Sequence, residues 1–237
     1  MDTAIPSDVP VVLITGFGPF RSVRINPSWE VAKALKTYFE WTCPVHIIIE
    51  QMNVTYDDVS NKIPDYWLKY NPTLVIHIGV AVGTQEIQVE RAACNIDYCY
   101  PDNNGTTPDC GRCIKTDAPD TITTLLPIDD ICARARRRTK VPIGTSDDAG
   151  RFLCEFIYYQ SLFIDPKRSV FIHIPDSNEN LTIQDMAEAI QLIIYELLHC
   201  VDPLPRLNQN GNYLINPNVR KTLDIITSDK SNLDLLS

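Results

Sequence analysis

The chain has 237 residues, 44% of them hydrophobic, and a formal net charge of −9. That length and apolar content fit one large α/β domain and exclude wholesale disorder. The acidity speaks against nucleic acid as a partner, because binding a phosphate backbone wants a basic face.

The first residues, MDTAIPSDVPVVLITGF, carry two acids and no basic stretch, so they do not read as a signal peptide. Pro10 to Phe17 is a continuous apolar run, the pattern of a strand buried on both faces. Pro27 and Ser28 mark a helix start, and Trp29 to Thr37 has helical spacing. Pro44 to Gln51 reads as a second strand, Tyr56 to Tyr70 as an amphipathic helix, and Leu74 to Val80 as a third buried strand. A shorter strand begins over Glu86 to Val89. From Tyr98 to Asp120 the chain is rich in Asn, Asp, Gly, Pro, Thr and Cys and reads as a long loop. Ile128 to Thr139 is expected to be a helix; its cluster Arg134, Arg136, Arg137 and Arg138 reads as a solvated face. Val141 to Thr145 follows as a strand, Ala149 to Leu162 as a helix, and Ser169 to Ile174 as another buried strand. Leu181 to Cys200 is a long helix, opened by Thr182 with Asp185 three residues on, a capping-box pair.

Alternating strands and helices predict an α/β fold: a mainly parallel, mixed sheet with helices on both faces, a single-domain three-layer sandwich over residues 1–201. Asp202 to Ser237 lacks strong periodicity and is expected to be a loosely held tail. No apolar run approaches the roughly 20 residues of a membrane helix. The expected setting is cytoplasmic, where a reducing compartment keeps the eight cysteines as thiols.

Three segments each offer one part of a cysteine hydrolase: Glu90 in IQVERAACNID, Cys154 in DDAGRFLCEF and His173 in SVFIHIPD. A thiolate attacks a carbonyl, an imidazole moves the proton, and a carboxylate fixes the imidazole. Each has a plainer reading. Cys154, in the first turns of a helix starting near Asp148, gains from the positive end of the helix dipole, with Arg151 helping and Asp147 and Asp148 opposing; it also reads as a small buried hydrophobe. His173 ends an apolar strand, where α/β folds collect functional groups. It also reads as a hydrogen-bonded core histidine, like His77 within its own apolar strand. Glu90 beside Arg91 reads more simply as half of a surface ion pair, the usual fate of a glutamate flanked by an arginine. The loop thiols Cys99, Cys110 and Cys113 include a CxxC. Zinc wants four ligands, and no second CxxC or histidine pair stands nearby, so no metal is expected and redox use stays a minor alternative.

Taken together, these segments resemble the pyroglutamyl-peptidase I family, cysteine peptidases that remove an N-terminal pyroglutamate. TGFGPF (Thr15 to Phe20) with NPSWE (Asn26 to Glu30) looks like its N-terminal signature, and VERAACNID with PDN (Pro101 to Asn103) like its glutamate segment. DAGRFLC looks like its cysteine segment and FIHIP like its histidine segment; the DAGRFLC wording and the Cys-bearing loop are similar to the animal branch. The resemblance implies Cys154 as nucleophile, His173 as general acid/base and Glu90 as orienter. It implies that Phe17, Phe20 and Phe152 wall a pocket for the lactam ring, with Asn26 hydrogen-bonding near it. The partner implied is a peptide with an N-terminal pyroglutamate, and no cofactor is needed.

Three departures stand out. Arg21 and Ser22 follow the PF where the family has Gly-Gly, and Arg adopts a positive φ less easily than Gly. Tyr98, Cys99 and Tyr100 occupy a stretch where the family tends to carry a basic residue facing the oxyanion. That shifts the expected oxyanion donors to backbone N–H groups around Cys154, and it leaves a weak or inactive paralogue that only binds peptide N-termini as the alternative function. The residues after about Asp202 find little match.

Overall fold

The computed structural model describes residues 9–21, 23–37, 41, 44–115, 117–176, 181–201 and 217–231. Along the chain the elements are β1 (Val11–Phe17), α1 (Pro27–Thr37), β2 (His46–Met52), α2 (Tyr56–Tyr70), β3 (Leu74–Val80), β4 (Ile87–Glu90) and β5 (Ala92–Cys94). Then come β6 (Thr121–Thr123), α3 (Ile128–Arg136), β7 (Ile143–Ser146), α4 (Leu153–Ile164), β8 (Ser169–Ile174), α5 (Ile183–Leu198) and α6 (Pro217–Ser231).

Six strands form one sheet in the order β2-β1-β3-β8-β4-β7. Strands β2, β1, β3 and β8 run parallel; β4 meets β8 antiparallel and β7 parallel, so the sheet is mixed as expected. Period-2 alternation sorts the strand side chains between two cores. Val12, Ile14, Ile76, Ile78, Val170 and Ile172 pack against α1, α3 and α5. Leu13, Phe17, Val75 and Phe171 lie in the core with α2 and α4, to which α6 adds from beyond those helices. Buried on both faces, these strands need no polar alternation, which is why they read as continuous apolar runs.

Helix ends follow the sequence signals. Thr55 caps α2 by accepting from the Asp58 N–H at 3.3 Å, and Asn71 closes it in the left-handed conformation at φ 38°. Thr182 and Asp185 form the expected capping box at the head of α5.

Two expectations need correction. Helix α4 starts at Leu153, not at Ala149, because Gly150 adopts φ 81° and breaks any earlier turn. The loop read over Tyr98 to Asp120 holds no strand or α-helix among its described residues; beyond its ends a small antiparallel pair, β5 with β6, joins Ala93 to Ile122 in register. The C-terminal stretch is not simply a loose tail: residues 202–216 and 232–237 lie outside the described residues, but α6 buries Val219, Leu223 and Ile226 in the core shared by α2 and α4. Among the described residues, no helix is long and apolar enough to cross a membrane.

Candidate active site

The α2–α4 face of the sheet carries a short row of residues that are not ordinary core. Register places Thr15 beside His77, His77 beside Phe171, and Gly79 beside His173. Across the antiparallel pair, Gln88 stands opposite His173 and Glu90 opposite Phe171. Side chains directly opposite share a face, so Glu90 and His173 come together two positions apart on neighbouring strands. His173 Nδ1 and Glu90 Oε1 are 2.7 Å apart, and both residues are buried.

Glu90 is therefore not half of a surface pair. Its neighbour Arg91 turns the other way and binds Asp129 at 3.1 Å and both oxygens of Asp147. Glu90 Oε2 is buried without a hydrogen-bond partner. Among the described residues, the hydrogen bond this carboxylate makes is the one to the imidazole.

Cys154 is the second residue of α4, half-buried. Its sulfur lies over Gly79: a Cβ on that glycine would sit 2.8 Å from Sγ and 2.7 Å from the ring of Phe171. Because Gly79 pairs with His173 in register, the missing Cβ makes room for the thiol beside the imidazole. Burial works against a charge on His173, but its contacts with Cys154 and Glu90 outweigh burial and raise its pKa to about 10. With Nδ1 occupied by Glu90, Nε2 is the nitrogen left for the sulfur. The three segments chosen from sequence meet. The residue that sequence reading missed is Gly79; its signal was a glycine near the end of an apolar strand, where a close approach is the usual reason for one.

Arg151 does not serve Cys154. It binds Asp148 at 2.9 Å and both oxygens of Glu155, at 2.9 and 2.8 Å. Phe152 occupies the cap position of α4 and makes no side-chain cap hydrogen bond, so it leaves the first-turn N–H groups next to Cys154 uncapped.

The aromatic residues gather around that helix start. Phe20 and Phe152, both half-buried, have centroids 5.5 Å apart. Behind them Tyr56 meets Phe152 edge-on at 5.9 Å and Phe156 at 4.9 Å, and Tyr98 meets Phe156 at 5.3 Å. Phe17 lies deeper, 4% exposed, within the core. Asn26 is engaged structurally: Nδ2 donates to the Gly18 carbonyl at 3.1 Å, and Oδ1 accepts from the Ser28 N–H and hydroxyl at 3.1 and 2.8 Å. Ser28 Oγ in turn accepts from the Phe17 N–H at 2.9 Å, so the NPS segment pins the loop bearing Phe20.

That loop keeps a tight turn without the Gly-Gly. Arg21 adopts φ 50°, Phe20 and Val23 exchange two backbone hydrogen bonds, and the Arg21 guanidinium stacks 4.8 Å over the Phe20 ring. Ser22 lies outside the described residues. The PDN segment is a clamp. Asp102 accepts from the Tyr56 N–H at 2.9 Å and from the Asn104 and Thr106 N–H groups, and Asn103 binds the Pro19 carbonyl at 3.1 Å. Tyr98 is buried with its hydroxyl on the Cys94 carbonyl at 2.5 Å, while Cys99 and Tyr100 are exposed; this stretch offers no basic side chain.

The seven described cysteines are free, and among the described residues no cluster of three or more His, Cys, Asp or Glu could hold a metal. In the CxxC, Cys110 is exposed, while Cys113 turns inward and donates to the Phe156 carbonyl at 3.4 Å.

Comparison with known proteins places the chain among relatives of the same fold. The pyroglutamyl peptidase family profile matches residues 11–197. Human pyroglutamyl-peptidase 1 is 32% identical over 192 residues, covering 81% of this chain and 91% of the relative. Pyrrolidone-carboxylate peptidase of Thermococcus onnurineus is 34% identical over 77% of this chain and 96% of its own. Among solved structures, a mutant pyrrolidone carboxyl peptidase from Pyrococcus furiosus superposes with a TM-score of 0.71 at 27% identity, covering 80% of this chain and 98% of that one. Its relative from Thermococcus litoralis gives 0.70 at 26% identity, covering 88% and 100%. The chain belongs to the pyroglutamyl peptidase family.

Proposed function

We propose that this protein is a cysteine exopeptidase that hydrolyses the bond after an N-terminal pyroglutamyl residue, with Cys154 as nucleophile, His173 as general acid/base and Glu90 as orienter. The observation that carries this reading is the 2.7 Å contact of Glu90 with His173 Nδ1, with the Cys154 sulfur lying over Gly79 in the adjacent strand position. Phe20 and Phe152 grip the lactam ring, a small uncharged group suited to aromatic faces, with Phe17 beneath them and Asn26 holding their loop. A free α-amino terminus would be charged, and such a pocket would desolvate it without a partner.

The Cys154 thiolate attacks the pyroglutamyl carbonyl carbon and forms a C–S bond. The scissile C–N bond breaks as His173 Nε2–H gives its proton to the leaving amine. Water then attacks the thioester, passing a proton back to His173, and pyroglutamic acid departs as the C–S bond breaks and the thiolate is restored. Negative charge on the carbonyl oxygen is met by first-turn N–H groups of α4, aided by the helix dipole, in place of a basic side chain from the Tyr98–Tyr100 stretch. A reaction that depends on a free thiol suits a reducing, cytoplasmic setting.

The test is release of a fluorophore from a pyroglutamyl amide in the presence of reductant. Turnover by the wild type and none by Cys154→Ala supports the reading; equal turnover by both removes it.

A further inference from the structure

Glu155 directly follows the proposed nucleophile, and its side chain is completely buried. A buried carboxylate is costly unless its charge is paired and its oxygens are filled. Both conditions are met here. Arg151 reaches both oxygens, and the Cys94 backbone N–H donates to Oε1 at 3.0 Å. Arg151 belongs to the turn before α4. Cys94 ends β5, the strand that begins two residues after Glu90. One carboxylate therefore joins the turn that bears the thiol to the segment that continues from the orienting carboxylate. Nothing in the proposed chemistry uses it.

We propose that Glu155 is a positioning residue, setting the Cys154-bearing turn of α4 against β5 and so against the Glu90–His173 pair. This rests on Cys154 being the nucleophile. The titratable and charged groups that face Glu155 are Arg151 and Asp148 before the helix, Cys94 on β5, and Tyr98 and Cys113 from the following loop. Burial pushes its carboxyl up, against the pull of the Cys94 N–H and Arg151, to about 7. Protonation turns one acceptor oxygen into a hydroxyl and removes the charge that holds Arg151. The tie then loosens as the pH falls through neutrality, and turnover acquires an acid limb there.

The experiment compares kcat, KM, their pH profiles and thermal melts for the wild type, Arg151→Gln, Glu155→Gln and Cys154→Ala on a pyroglutamyl amide. A misplacement of about 1 Å in a catalytic group costs on the order of 100-fold, so Glu155→Gln should lower kcat by about 10-fold or more with little change in KM. Its neutral side chain cannot titrate, so its acid limb near neutrality should vanish. Replacing Arg151, one-third exposed, removes the paired charge, but the carboxyl keeps its Cys94 bond and can take up a proton, so that variant is expected to fold even if Glu155→Gln does not. Losing the guanidinium raises the carboxyl further, so the acid limb of Arg151→Gln should move to higher pH. A purely structural tie would lower the melting temperature and leave the limb in place. An Arg151→Gln limb that superimposes on the wild type, with kcat lowered only by the unfolded fraction, overturns the proposal. Activity retained by Cys154→Ala would instead overturn the nucleophile assignment.

Discussion

Two histidines on adjacent parallel strands, both buried, sit in opposite electrostatic situations. His77 lies between two hydroxyls, Thr15 Oγ1 at 2.7 Å from Nδ1 and Ser161 Oγ at 2.8 Å from Nε2. Hydroxyls donate or accept without adding charge, so burial acts alone and lowers its pKa to about 3. His173, two register positions further along, meets a carboxylate and a thiol, and the same burial is overruled. Depth in the sheet does not decide whether a histidine is structural or chemical. The chemistry of the partners does, a carboxylate and a cysteine sulfur against two hydroxyls, and those partners arrive from other strands and from a helix start.

The largest way to break the contrast is to remove the thiol. Cys154→Ala should cut turnover of a pyroglutamyl amide by about 10⁴-fold or more with an unchanged melting curve. His173→Ala should cost nearly as much turnover. It should also destabilise the fold by about 3–5 kcal/mol, because Glu90 is left buried and unpaired; a thermal melt checks that second effect.

Next in size is Glu90→Gln, which should lower kcat by about 10-fold or more and carry a pH signature. His173 has a raised folded pKa, so its proton stabilises the fold at low pH. That contribution is complete below the ordinary imidazole value and is lost as the pH rises through the folded pKa. The alkaline limb of activity falls in the same range, where the imidazolium loses the proton the leaving amine needs. Removing the carboxylate lowers the pKa of His173, so the limb should move to lower pH; a limb that stays put would detach Glu90 from the site. Gly79→Ala tests the space instead of the charge. A Cβ there forces Cys154 and Phe171 aside, and overpacking should cost about 1–3 kcal/mol together with a fall in kcat.

His77 should behave in the opposite sense. His77→Leu leaves the Thr15 and Ser161 hydroxyls without their ring partner and should cost about 1–3 kcal/mol in a denaturant melt, with kcat of the folded enzyme nearly unchanged. The smallest effect concerns the loop over the site. Arg21→Gly relieves a left-handed residue but frees the unfolded chain and loses the stack on Phe20, so stability should shift by less than about 1 kcal/mol.

Much of this frame is legible in the sequence. The buried strands announce themselves as apolar runs, and the capping pair Thr182–Asp185 marks α5 because the motif is local. The DAGRFLC segment points to the thiol but places its helix too early; Gly150 at φ 81° is the turn signal that should have delayed it to Leu153. The β5–β6 pair escaped notice because each strand has three residues and they pair across a long loop, leaving no periodicity to read. Helix α6 left little signal because, among its described side chains, Val219, Leu223 and Ile226 are the buried ones in an otherwise polar stretch. Glu90 was ambiguous for a different reason. Its sequence neighbour Arg91 looks like its partner, yet alternation along the strand sends the two side chains to opposite sides, and the true partner lies 83 residues away.

The central claim is that Glu90 and Cys154 hold His173 as a cation while His77, also buried, stays neutral. It is tested most directly by ring ¹⁵N NMR of the folded wild type between about pH 5 and 9, with His77 and His173 assigned through their single variants. The account predicts an imidazolium signature for His173 and a neutral one for His77 across that whole range. A neutral His173 at pH 7, titrating near the ordinary imidazole value as an exposed histidine does, would contradict it.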